Sequence, residues 1–149
     1  MSKLSKLSRL PLRDKVLLAQ LMMGCAAISL VLRIVGWQRL SRFIISRSHG
    51  KLRHFPFFHL GIDIDRLSSL AGMASGLFPR NRCLVRSMAL LWLLRTRGES
   101  AEVVLGVRKR GEHFEAHAWT LSEQGLIGEH AEAIAEFAVL TSSGINEQS

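Results

Sequence analysis

Apolar positions follow two rhythms along this chain, and the change of rhythm falls near residue 98. In the first part they recur at helical spacing. "VLLAQLMMGCAAISLVL" (16–32) contains no charged residue, and the pattern continues through "IVGWQRLSRFII" as an amphipathic helix. A stretch rich in Gly, Pro, Ser and His then breaks the helix into a loop and shorter pieces. Asp65 is expected to cap a short helix over 66–75, since its carboxylate can accept the first free amide hydrogens, and "GLFPRN" stops it. "CLVRSMALLWLLRTRG" reads as one helix, with Asn81 as its cap, Leu84, Met88 and Leu91 on its buried side, and Gly98 as the C-terminal stop. Beyond Gly98 the spacing becomes two. "AEVVLGVRK" and "HFEAHAWTL" alternate, and "RKRGE" between them supplies a glycine-containing turn, so a hairpin is predicted. A turn at "EQG" and a very short strand "LI" follow. The fold class is therefore α+β: N-terminal helices, then a helix packed on a small antiparallel sheet. Residues 1–80 form the helical part of a single domain, 81–140 its core, and 141–149 a disordered tail.

Composition narrows this picture. A chain of 149 residues that is 48% hydrophobic suits one compact domain with a real core. Charge is uneven: residues 1–82 hold 14 Lys/Arg against 3 Asp, net +11, while 83–149 hold 6 against 9 Glu, net −3, giving +8 in all. A basic half favours anionic partners, although solvated basic helix faces produce the same excess. Nucleic acid is not expected, because "KLSKLSRLPLRDK" has no interleaved aromatics and no zinc-finger or RNP-type motif follows. The uncharged run 16–32 is near the minimum for a membrane span. Gln20 and Ser29 interrupt it and Arg33 follows, which favours a core helix or a membrane-surface helix. No cleavage site of signal-peptide type follows it. The two cysteines, Cys25 and Cys83, belong to no CxxC set, so neither a disulfide framework nor a structural zinc site is expected, and the setting reads as reducing and cytoplasmic. His49, His54 and His59 recur at intervals of five, which suits loop or surface positions and no metal site.

Candidate chemistry centres on Cys83. In the first turn of its helix, free amide hydrogens and the positive end of the helix dipole stabilise a thiolate. A small buried residue of that turn fits equally well, whereas Cys25 in its apolar run reads as core. Glu115, His117 and Trp119 share one face of their strand. If that face turns toward the helix start, His117 reaches Cys83, and thiolate–imidazolium pairs are what cysteine acyl-transfer sites need. No aspartate follows the cysteine. Glu129, after the short strand, lies opposite the histidine strand and is the better orienter. Glu115 is two strand positions from His117, roughly 6 to 7 Å away, and reads as a surface or rim charge.

"NRCLVRSMALLWLLRTRGESAEVVLGV" followed by "HFEAHAWTL" and a turn glycine resembles the transglutaminase-like (papain-like) cysteine peptidases of lasso-peptide biosynthesis, the B-type maturation proteins that remove the leader from a ribosomally made precursor. The resemblance covers residues 10–140 loosely and is specific over 80–130. It implies a transglutaminase-like core over 81–140, Cys83 as nucleophile, His117 as base, and Glu129 where the family usually has Asp. It implies an oxyanion donor at the Cys83 backbone N–H, no cofactor, and the precursor's leader region as substrate. Trp119 either shields the imidazole or packs as core, and is the one residue considered for substrate contact. With no room for the winged-helix leader-binding domain of some members, the chain resembles the stand-alone form. That form implies a separate leader-recognition protein and a macrocyclase acting on the released core.

Rival readings stay open. A non-catalytic transglutaminase-like module that binds a peptide or scaffolds a complex is favoured by the glutamate at 129 and opposed by retention of Cys83 and His117. A membrane-surface protein would put the work in the basic, apolar first half. A protein-crosslinking transglutaminase is a minor variant, for which the chain looks small.

Overall fold

A computed structural model of the chain describes residues 8–47 and 61–143. His49, His54 and His59 lie outside the described residues. The apolar N-terminal run forms α1 (Leu12–Val35) and α2 (Trp37–Arg47). The single helix expected here is broken at Gly36, whose φ of 78° is open to glycine and strained for other residues. Helix α3 spans Ile64–Ser75. Its cap is Asp63, not Asp65: the Asp63 carboxylate accepts the Asp65 N–H at 3.2 Å, because Asp63 is the last extended residue before the helix.

A 3₁₀ turn at Pro79–Asn81 leads directly into α4 (Arg82–Thr96). The Asn81 side chain makes no capping bond; the preceding turn already carries the chain into the helix, so the expected cap has no task. Gly98 ends α4 as read from the sequence. Its φ is 81°, the Glu99 N–H bonds the Leu94 carbonyl at 3.0 Å, and the Gly98 N–H bonds that of Arg95 at 3.0 Å, the reciprocal pair of a Schellman stop.

The core lies among α1, α3 and α4 and between α4 and one face of the sheet. Leu17, Leu21, Cys25, Leu67, Leu70, Met88 and Leu91 are sealed from solvent. Gly24 lets α1 approach α4 closely, since a Cβ there would stand 2.9 Å from the Trp92 ring. Asp14, buried in α1, accepts two hydrogen bonds from the Arg66 guanidinium of α3, at 2.5 and 2.9 Å.

The predicted hairpin is β1 (Ala101–Arg110) and β2 (His113–Ser122), followed by the short β3 (Gly125–Ile127). One turn of helix, α5 (Ala131–Ile134), precedes β4 (Ala138–Ser142). The antiparallel sheet has the order β3-β2-β1-β4. Strand β4 pairs beside β1 with a register shift at Leu105/Gly106, so residues 141 and 142, expected in the tail, belong to the sheet. Ser143 is buried and exchanges two 2.9 Å bonds with the Val103 backbone, and 144–149 lie outside the described residues. The fold is α+β, with helices on a small antiparallel sheet.

Candidate functional site

Strand alternation decides which side chains meet α4. Ala118 and Thr120 turn toward it: both are buried, and the Thr120 hydroxyl donates to the Ser87 carbonyl at 3.2 Å. His117 and Trp119 belong to the other face. There the indole covers Gly106, where a Cβ would stand 2.6 Å from the ring, and the Phe137 ring lies 5.4 Å from the imidazole. The face itself therefore does not turn toward the helix start, which was the condition under which the sequence put His117 within reach of Cys83. His117 meets the helix region around the strand edge instead. Pairing of β3 with β2 stops at Thr120–Ile127, leaving the β2 edge uncovered at His117, and the chain after Ile127 crosses that gap.

A cleft of about 290 Å³ opens at this edge, lined by Pro79, Arg80, Arg82, Cys83, Arg86, His117 and Glu129. Cys83 is the second residue of α4 and is half-buried, whereas Cys25 is wholly buried; both are free thiols. Burial pushes the Cys25 thiol up to about 11 by removing the water that would solvate its thiolate. His117 Nε2 lies 3.2 Å from Glu129 Oε1. A carboxylate can only accept, so this contact assigns the proton of the neutral ring to Nε2 and leaves the Nδ1 lone pair available. The indole of Trp119, 3% exposed, stacks beside the ring at 6.1 Å between centroids.

Glu129 has a second partner that sequence reasoning missed. Arg86 Nη1 reaches the same Oε1 at 3.4 Å, while Nη2 donates to the Gly128 carbonyl at 2.7 Å and to the Ser68 hydroxyl at 3.1 Å. One guanidinium thereby ties α4 to α3 and to the loop bearing the carboxylate. Gly128, with φ 67°, permits it: a Cβ there would run into the Ser68 hydroxyl and the Arg86 guanidinium. The signal in the sequence was an arginine three residues after Cys83, hence on the same helix face, inside an otherwise apolar run.

Glu115 is engaged elsewhere. Arg108 donates to it at 2.7 Å and Arg110 at 3.5 Å. The hydrogen bond from Arg108 is the main reason its carboxyl is held below the usual range. Arg108 also stacks over Phe137, 4.6 Å from the ring centroid. Among the described residues, no three His, Cys, Asp or Glu side chains cluster as a metal site. A thiol, an imidazole and a carboxylate around one cleft are the groups that nucleophilic acyl transfer requires.

Residues 22–142 match the family model described as Transglut_core3, the transglutaminase-like superfamily. No curated protein and no solved structure matches the chain. The matched segment runs from within α1 through all four strands and contains Cys83, Arg86, His117 and Glu129.

Proposed function

The chain belongs to the transglutaminase-like superfamily, which includes cysteine peptidases, and from that membership we propose that it is the leader peptidase of a lasso-peptide pathway. The observation that carries the reading is the shared cleft, which Cys83, His117 and Glu129 all line and in which Glu129 contacts Nε2 of the imidazole. The sequence resemblance around Cys83 and "HFEAHAWTL" supplies the substrate class.

In this mechanism the Cys83 thiolate attacks the carbonyl carbon at the leader–core junction, forming a C–S bond. The carbonyl oxygen becomes an oxyanion, with the Cys83 backbone N–H at the helix start as one donor. His117, having taken the thiol proton on Nδ1, gives it to the departing core amine as the C–N bond breaks. Water then attacks the thioester, His117 removes its proton, and the leader leaves as a carboxylic acid while the thiol is restored. Glu129 keeps the ring in the tautomer that offers Nδ1 and stabilises the imidazolium between the two transfers. Its longer side chain takes the place of the family's usual aspartate, and Arg86 Nη1 steadies the carboxylate at the same Oε1 that meets the imidazole. A separate leader-recognition protein presents the precursor, and a macrocyclase consumes the released core.

The test is the mass spectrum of a candidate precursor peptide after incubation with the protein, with and without a leader-binding partner, for wild type and Cys83→Ala. Cleavage at one junction by wild type alone is expected. Peptide binding without cleavage by a folded wild-type protein would refute the peptidase and favour the non-catalytic peptide-binding module.

A further inference from the structure

Catalysis gives the outward face of α1 no role, yet its chemistry is unusual for a helix at a protein surface. Such helices bury one stripe and turn a polar stripe to water. Here the buried stripe of Leu17, Leu21, Cys25 and Ile28 has an equally apolar counterpart on the outside. Leu12, Val16, Ala19, Met23, Leu30 and Ile34 recur every three to seven residues along one exposed face. Leu12, Met23, Leu30 and Ile34 are 77, 62, 61 and 73% exposed. The stripe runs the length of a 24-residue helix, about 36 Å at 1.5 Å per residue.

The exposed charges that α1 and α2 themselves carry have one sign. Lys15 and Arg33 stand at the two ends of α1 with no charged residue between 16 and 32, and Arg39 and Arg42 continue the series, exposed, on α2. The sole carboxylate of α1 and α2 is Asp14, which is buried and bound to Arg66. An exposed apolar stripe bracketed by cations, on two helices with no exposed carboxylate of their own, is complementary to anionic headgroups over acyl chains. Long basic side chains reach the headgroups while the apolar groups sink below them.

We propose that α1 and α2 form a docking face for an anionic lipid bilayer, with α1 lying in the plane of the surface. The helix is long and apolar enough to cross a membrane by length and composition. Spanning, however, would pull Leu17, Leu21, Cys25 and Ile28 out of the core and separate Gly24 from Trp92. Lying flat keeps those contacts and covers only what is now exposed. This inference is independent of the peptidase reading.

The experiment is co-sedimentation of the full chain with phosphatidylglycerol/phosphatidylcholine vesicles and with pure phosphatidylcholine vesicles, at about 0.1 M and about 1 M salt. Wild type is expected to pellet with the anionic vesicles, less so at high salt, and to be released by alkaline carbonate. Met23→Glu/Leu30→Glu, two exposed positions whose change leaves the core intact, should weaken binding about tenfold or more, with unchanged circular dichroism. Arg33→Gln/Arg39→Gln should weaken it on anionic vesicles through charge alone. Protein that stays in the supernatant, pellets equally with both vesicle types, or resists carbonate overturns the proposal. So does a soluble dimer that Met23→Glu/Leu30→Glu dissolves without any lipid binding, since the stripe would then be a protein interface.

Discussion

Replacing Arg86 with methionine keeps an unbranched apolar stem and deletes the guanidinium, and the geometry gives the loss a size. The bonds to the Gly128 carbonyl at 2.7 Å and the Ser68 hydroxyl at 3.1 Å disappear, as does the 3.4 Å contact with Glu129. Hydrogen bonds from a charged donor contribute about 1.5–3 kcal/mol each. The Arg86 and Glu129 side chains retain 25 and 19% exposure, so the two short bonds belong at the low end and the longer ion pair contributes at most about 1 kcal/mol. Apolar burial of the methionine stem offsets roughly 1 kcal/mol. A net loss of about 2–3 kcal/mol follows, which for a domain of this size lowers Tm by about 5–10 °C. Turnover should suffer separately. Freed from one of its two partners, Glu129 no longer fixes the imidazole, and misplacement by about 1 Å can cost on the order of 10²-fold. Arg86→Lys keeps the charge without the forked geometry and should rescue only part of the activity. Urea titration and kcat on the same preparations, well below the melting range, separate the two effects. A variant with unchanged Tm and full turnover would refute the network, and a destabilised variant with full kcat would reduce Arg86 to a structural tie.

Gly128→Ala should lose a similar activity by pushing Ser68 and Arg86 away, with about 1–2 kcal/mol of added backbone cost at φ 67°. In a double-mutant cycle of urea midpoints the Arg86→Met and Gly128→Ala losses should fall short of additive; full additivity would mean they act apart. Iodoacetamide on the native protein should label Cys83 alone. Cys25, wholly buried and with its thiol pushed up to about 11, should react only after denaturation, and labelling of both in the native state would contradict the burial. Glu129→Gln should lower turnover less than His117→Ala does, while Glu115→Gln, engaged with Arg108 and Arg110, should be nearly silent. The reverse order between the two glutamates would show the orienter to be wrongly assigned.

Sequence pattern carried far where a local rule acts alone. Period-two alternation and a glycine turn located the β1–β2 hairpin, and Gly98 marked the end of α4 because its positive φ is a local requirement. Cys83 and His117 could be picked out as candidates because a helix start and a strand position are local features, and Glu129 because it follows the short strand β3. What stayed hidden depends on tertiary company. Strand β4 is short and exposed at Val139 and Leu140, so it exists through pairing with β1 and carries no strong pattern of its own. The break at Gly36 lies inside an unbroken apolar rhythm. Arg86 read as an interruption of a helix face until Ser68 and Gly128, 18 residues before it and 42 after it, came to meet it. The approach of His117 around an uncovered strand edge follows from where β3 stops, which no residue in β2 records.

The most direct test of the proposed acyl-transfer site is the intact mass of the protein, acid-quenched during incubation with a precursor peptide. The mechanism predicts a transient mass increase equal to the leader acyl group, mapping by digestion to Cys83 and absent from Cys83→Ala. Peptide cleavage with no adduct on Cys83, or with the adduct on another residue, would contradict it.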